Sequence, residues 1–147
     1  MVRVRPLADK NRIELTYLSS PIQSHALHGK ISTEGMSHVL ENLLMNAIRY
    51  SEENTKVKIE ADRSVENNEL SLRVSNQAKF LPACEPSRLF ERFYRGNPIE
   101  QPSGFGLGLY IVKSIIEAHR GTVEAQCDRR DNTFSVQLRI PISEVAV

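Results

Sequence analysis

The chain has only two cysteines, almost no net charge and no long hydrophobic run, and each scarcity excludes a class of function. Cys84 and Cys127 are isolated in sequence, without a CxxC pair or zinc-like spacing to histidines, so reduced thiols are expected and a disulfide or zinc framework is not. A net charge of +1 supplies no electrostatic attraction for nucleic acid or an anionic membrane. No apolar stretch approaches the roughly 20 residues of a membrane span. The opening MVRVRPLADK has no secretory apolar core, so this segment reads as cytoplasmic. His25 and His28 have no Cys or carboxylate cluster near them and read as a solvated loop.

What remains is enough for one globular domain: 147 residues, 40% hydrophobic and 25% charged. Its most informative stretch is HVLENLLMNAIRYS, His38 to Ser51. Val39, Leu40, Leu43, Leu44, Ala47 and Ile48 recur at helical spacing and define one apolar stripe. Asn42 and Asn46, four residues apart, stand one above the other on a different face. Asparagine is a middling helix former, so a pair inside a well-patterned helix is either simply solvated or has a target for its amides.

The rest of the pattern alternates strands and helices. Val2 to Leu7 and Arg12 to Leu18 alternate apolar and polar residues and predict two strands, and Ser19 to Ser37 reads as a connection. Val57, Ile59, Ala61 and then Leu70, Leu72, Val74 predict a hairpin turning at Asn67 and Asn68. Asn76 and Gln77 close its second strand, where binding residues are often held. Leu89, Phe90 and Phe93 in RLFERFYR read as core anchors of a short helical turn, and Arg95 to Ser103 as a loop. Leu107, Ile111, Val112, Ile115 and Ile116 mark a further helix. Thr122 to Asp128 and Thr133 to Pro141 form a last hairpin around Arg129 to Asn132. This order predicts an α+β fold, a mixed or antiparallel sheet covered by helices.

Three of the seven glycines, Gly104, Gly106 and Gly108, precede the last helix. A helix start of this kind presents free N–H groups and a positive dipole end, which suits phosphate, although glycines also precede helices for purely geometric reasons. GxxxxGK[ST] is absent, and GxGxG after a proline-containing loop is not the GxGxxG that follows the first strand of a dinucleotide-binding fold.

Taken together, NLLMNAIRYS, VSNQA, FERFYR and GFGLGLYIVK, in this order, resemble the catalytic and ATP-binding domain of bacterial sensor histidine kinases, of the group that also holds DNA gyrase B, Hsp90 and MutL. The resemblance runs from about Arg12 to Pro141. It implies a two-layer α/β sandwich with a mixed sheet of about five strands and about three helices, the Bergerat ATP-binding fold, with ATP between the Asn-bearing helix and the glycine-rich loop. By this resemblance Asn46 binds Mg²⁺ on the phosphates and Asn42 supports or shares that role, consistent with the preference of Mg²⁺ for oxygen ligands alongside phosphates and water. Arg49 matches a phosphate-contacting Lys or Arg, Tyr50 an aromatic packed on the adenine, and Arg95 an arginine reaching the γ-phosphate. Gly104, Gly106, Leu107 and Gly108 match the second glycine box, Arg95 to Ser103 the ATP lid, and Thr133 a Ser or Thr behind the adenine pocket.

The chain departs from the family in two ways. Where the family's first glycine box reads DxGxG, this chain has Asn76, Gln77, Ala78, Lys79 and Phe80. Asn76 retains an acceptor for the adenine amino group but loses charge assistance, at a cost of about 1 kcal/mol. Secondly, none of His25, His28, His38 and His119 precedes an acidic residue as the family's phosphoacceptor does. The expectation is a catalytic piece of a longer, membrane-anchored sensor kinase. It would be monomeric in isolation and would phosphorylate a histidine on a separate dimerisation and phosphoacceptor domain, which then serves a response regulator. Two alternatives are an ATP-binding regulatory module of the anti-sigma-factor type, acting on serine, and a binding-only pseudokinase.

Overall fold

The computed structural model describes residues 3–19, 27–29, 32–64, 66–82, 85–94 and 107–144. The predicted sites Arg95, Gly104 and Gly106, and the whole of the lid, Arg95 to Ser103, lie outside them.

The chain opens on a helix, α1 (Val4–Lys10), where alternation had suggested a strand. Val4, Leu7 and Ala8 also fit the i, i+3, i+4 spacing of a helix face, and Val4 and Ala8 are almost wholly buried. Pro6 falls in the first turn, where its missing N–H costs nothing. Arg12, at φ 56°, turns the chain into β1 (Glu14–Ser19), which agrees with the second expected strand.

The segment expected as a plain connection contains β2 (Leu27–Gly29) and the first turn of α2 (Thr33–Tyr50). Helix α2 therefore begins five residues before the predicted His38. Ser32 caps it, its Oγ accepting from the Gly35 N–H at 3.0 Å, and this cap overrides the helix-breaking tendency of Gly35. The α2 stripe is buried at Val39, Leu43, Leu44, Ala47 and Ile48.

β3 (Lys56–Ser64) and β4 (Glu69–Gln77) form the expected hairpin, with Asn68 in the left-handed region at φ 51°. Its Nδ2 donates to the Ile142 carbonyl, tying the turn to the far strand. A 3-10 helix (Pro86–Phe90), α3 (Gly108–Ala118), β5 (Thr122–Asp128) and β6 (Thr133–Glu144) complete the order.

The five-stranded mixed sheet runs β1-β3-β4-β6-β5, and the short β2 pairs with the last residues of β6. β1 pairs parallel with β3, and the remaining neighbours are antiparallel. On one face Val57, Leu72, Val74, Phe134, Val136, Leu138 and Ile140 join the buried faces of the three α-helices in a single core. This is the expected two-layer sandwich. Among the described residues no helix is long and apolar enough to cross a membrane.

Two aromatic and aliphatic assignments change. Phe90 is buried, but Phe93 is 60% exposed because a φ of 61° turns its side chain outward. On α3 the buried residues are Leu109, Val112 and Ile116, while Ile111 faces outward. The predicted stripe was rotated because Leu109, hidden in the glycine-rich run, takes a core position.

Gly121, between α3 and β5, has no room for a side chain. A Cβ there would lie 2.5 Å from the Arg139 carbonyl oxygen and 2.8 Å from Ile116 Cγ2. The first of these is backbone of a central strand and cannot yield cheaply. Gly121→Ala is therefore expected to destabilise the domain by about 2 kcal/mol, lowering the Tm by roughly 6 °C in a thermal melt. An unchanged Tm would mean that α3 and β6 are less tightly apposed than described here.

Candidate functional site

Because its apolar stripe is committed to the core, α2 holds Asn42 and Asn46 half-buried on a separate flank, one turn apart. Asn42 Nδ2 donates to the His38 carbonyl at 2.8 Å, which fixes the amide and leaves Oδ1 pointing away from its own helix. That oxygen lies 3.4 Å from where a Cβ on Gly108 would stand. Asn42 and the start of α3 thus meet. Among the described residues no hydrogen bond engages the Asn46 carboxamide.

Helix α3 begins at Gly108, with Leu107 as its N-terminal flank, and among the described residues no side chain caps it. Its first-turn N–H groups keep the partial positive charge of an uncapped helix start. Amide oxygens on one wall and N–H donors on the other form a pair of opposite polarity, suited to a divalent cation and to anionic oxygens respectively.

The C-terminal end of α2 is stitched to the sheet. The Lys79 N–H donates to the Tyr50 carbonyl at 3.0 Å, the Glu52 N–H to the Gln77 carbonyl at 2.8 Å, and Ser51 forms an isolated antiparallel bridge with Ala78. The Ala78 N–H in turn reaches the Asn132 carbonyl at 2.8 Å. These bonds gather Tyr50, Asn76, Ala78 and Thr133 at the ends of β4 and β6, with Thr133 paired opposite Gln77. Tyr50 and Thr133 are half-buried, and Arg49 is exposed in the last turn of α2.

Asn76 is the unusual member. It occupies the core face of β4 in line with Leu72 and Val74, and its cross-strand neighbours in register are Val57 and Phe134. It is only 3% exposed, and among the described residues its Nδ2 has no hydrogen-bond partner. An unpaired buried amide in an apolar row costs about 1–3 kcal/mol, so the position makes sense as one side of a contact with a polar ligand edge.

The structure thus brings Asn42 to Gly108 near the middle of α2, and Tyr50, Asn76 and Thr133 together at its C-terminal end, with Asn46 and Arg49 on the helix between. From Asn42 to Tyr50 the helix rises about 12 Å, a span that suits an elongated ligand. Ser51 escaped the sequence reading because a bridging role depends on where β4 ends in space, which no local pattern announces. A second feature missed there is a surface cluster. The Arg92 guanidinium lies 4.8 Å from the Phe93 ring centre and 5.9 Å from that of Tyr110, linking the end of the FERFY segment to α3.

Comparison with known proteins points the same way. Residues 32–144 match the family described as histidine kinase-, DNA gyrase B-, and HSP90-like ATPase. The chain is 40% identical over 99 residues to a probable sensor kinase, SilS, of Salmonella typhimurium, across 65% of this chain and 19% of that protein. It is 35% identical over 113 residues to the sensor protein VanSC of Enterococcus gallinarum, across 76% of this chain and 30% of that protein. The chain therefore spans less than a third of the length of these two relatives. In three dimensions it resembles a mycobacterial sensor histidine kinase, MprB, with a TM-score of 0.79 at 21% identity, covering 96% of this chain and 91% of that one. With its sheet order, its Asn-bearing helix against a glycine start and its match over residues 32–144, the chain belongs to the histidine kinase-, DNA gyrase B- and HSP90-like ATPase family, as an ATP-binding domain of the sensor histidine kinase type.

Proposed function

We propose that this chain forms a single domain that binds Mg-ATP and presents the γ-phosphate to a histidine on a separate dimerisation and phosphoacceptor domain, in a two-component signalling system. The observation that carries this reading is the contact of Asn42 with Gly108, which sets a carboxamide of α2 against the start of α3. The phosphorylated histidine would then serve a response regulator.

The donor set fits the metal. Asn42 Oδ1 is turned out by the Nδ2 bond to His38, and Asn46 has no competing intramolecular partner among the described residues. Neutral oxygen ligands are appropriate beside a triphosphate that already carries the compensating charge. When bound, Mg²⁺ would neutralise part of the charge on the β- and γ-phosphate oxygens.

The protein's own contribution is positioning and electrostatics. N–H groups at the start of α3, with Gly104, Gly106, Leu107 and Gly108, would cradle the phosphates. Arg49, exposed on α2, would contact them from the opposite wall. Tyr50 and Thr133 would line the purine pocket, with Asn76 hydrogen-bonded to the base. Arg95 would lie against the γ-phosphate, where charge stabilisation supplies most of the acceleration. The bond from imidazole nitrogen to phosphorus forms as the bond to the bridging oxygen breaks. ADP leaves, and the imidazole proton passes to a base outside this chain.

Two substitutions test the assignment, using radiolabelled ATP and a phosphoacceptor domain from a related kinase supplied in trans, with acid-labile label as the readout. Asn46→Asp places a carboxylate beside the phosphates and is expected to lower transfer by on the order of 100-fold or more. Transfer at the parental rate would remove Asn46 from the metal site. Arg95→Ala is expected to lower transfer by roughly 100-fold while nucleotide affinity changes by less than about threefold. A loss confined to affinity would assign Arg95 to binding instead. Should the unsubstituted chain bind ATP tightly yet transfer nothing to any acceptor, the binding-only alternative would stand.

A further inference from the structure

The buried amide of Asn76 bears on which purines the pocket accepts. An ionised aspartate at this position would offer only acceptors, so it would favour an amino group at C6 of the base and oppose a carbonyl there. A carboxamide carries both a donor and an acceptor on one planar group. Turned one way, it accepts from a 6-amino group and donates to the neighbouring ring nitrogen N1. Turned over, it donates to a 6-carbonyl and accepts from N1–H. The two arrangements make the same number of hydrogen bonds.

Three observations make this more than a property of asparagine in general. Asn76 Nδ2 is buried and has no partner among the described residues, so no hydrogen bond from that nitrogen to them locks the amide in one orientation. Its cross-strand neighbours Val57 and Phe134 are apolar and present no side-chain donor or acceptor that would bias the flip. The backbone around it is held by the Ala78 bond to Asn132 and the Lys79 bond to Tyr50, so the amide turns within a fixed frame.

The geometry points to a nucleotide site that does not discriminate between an amino group and a carbonyl at C6. It accepts 6-oxopurine triphosphates such as ITP alongside ATP, with Asn76 as the residue that relaxes the choice. This inference rests on the nucleotide-binding reading above and adds the substrate class to it.

The test is displacement of a fluorescent ATP analogue from the intact chain, in the presence of Mg²⁺, by ATP, ITP and purine riboside triphosphate, which has only hydrogen at C6. In the unsubstituted protein ATP and ITP should compete within about fivefold of each other, and purine riboside triphosphate should be weaker than both by roughly three- to tenfold, the value of one hydrogen bond. Asn76→Asp should then raise the preference for ATP over ITP to at least about 30-fold, through lost ITP binding. If that variant does not fold, as judged by circular dichroism, the three-nucleotide series on the unsubstituted chain decides the matter alone.

ATP binding with ITP weaker by about 30-fold or more overturns the inference while leaving the nucleotide-binding reading intact. Equal binding of all three nucleotides also overturns it, since no group would then be reading C6. Failure of any nucleotide to displace the analogue overturns both.

Discussion

The seating of helix α2 on the sheet is the constraint from which the rest follows. Five of its side chains, Val39, Leu43, Leu44, Ala47 and Ile48, are buried in the common core. Burial of aliphatic side chains of this kind contributes roughly 1.5–3 kcal/mol each, less for alanine. Rotating the helix by even one position would expose several of them, so its azimuth is fixed. With the azimuth fixed, the flank carrying Asn42 and Asn46 is fixed too, with Asn42 against the start of α3. The backbone bonds from residues 50–52 to residues 77–79 then set where the helix ends relative to β4.

Two polar liabilities are left within this frame, and both fall along the same helix. Among the described residues, the start of α3 beside Asn42 carries no side-chain cap, and near the C-terminal end of α2 the buried Asn76 Nδ2 has no hydrogen-bond partner. A domain selected only for stability would have removed both by a capping residue and by an apolar side chain on β4. Their position on elements packed against the helix that carries Asn42 and Asn46 fits a site whose missing partners arrive with a ligand.

Much of this could be read in the residues before any fold was known. The apolar stripe of α2, the hairpin turning at Asn68 and the closing hairpin around Arg129 to Asn132 are local patterns, and the chain adopts them. The asparagine pair and the glycine run were recognisable as a combination, and the contact between Asn42 and Gly108 is where they meet. The misreadings have specific physical causes. Val2 to Leu7 satisfies both a twofold and a helical period, and only packing of α1 against α2 decides between them. Gly35 looked like a breaker but is the cap contact of Ser32. Phe93 looked like a core anchor because hydrophobicity carries no information about a positive φ. The burial of Asn76 depends on the sheet register that sets it between Val57 and Phe134, which a single strand's sequence does not contain.

The central claim is that α2 and the start of α3 together hold a metal-chelated purine triphosphate. Calorimetric titration of the chain with a non-hydrolysable ATP analogue, with and without Mg²⁺, tests it most directly. The account predicts one site per chain, with affinity at least about tenfold higher when Mg²⁺ is present. Absence of binding, or an affinity indifferent to the metal, would contradict it.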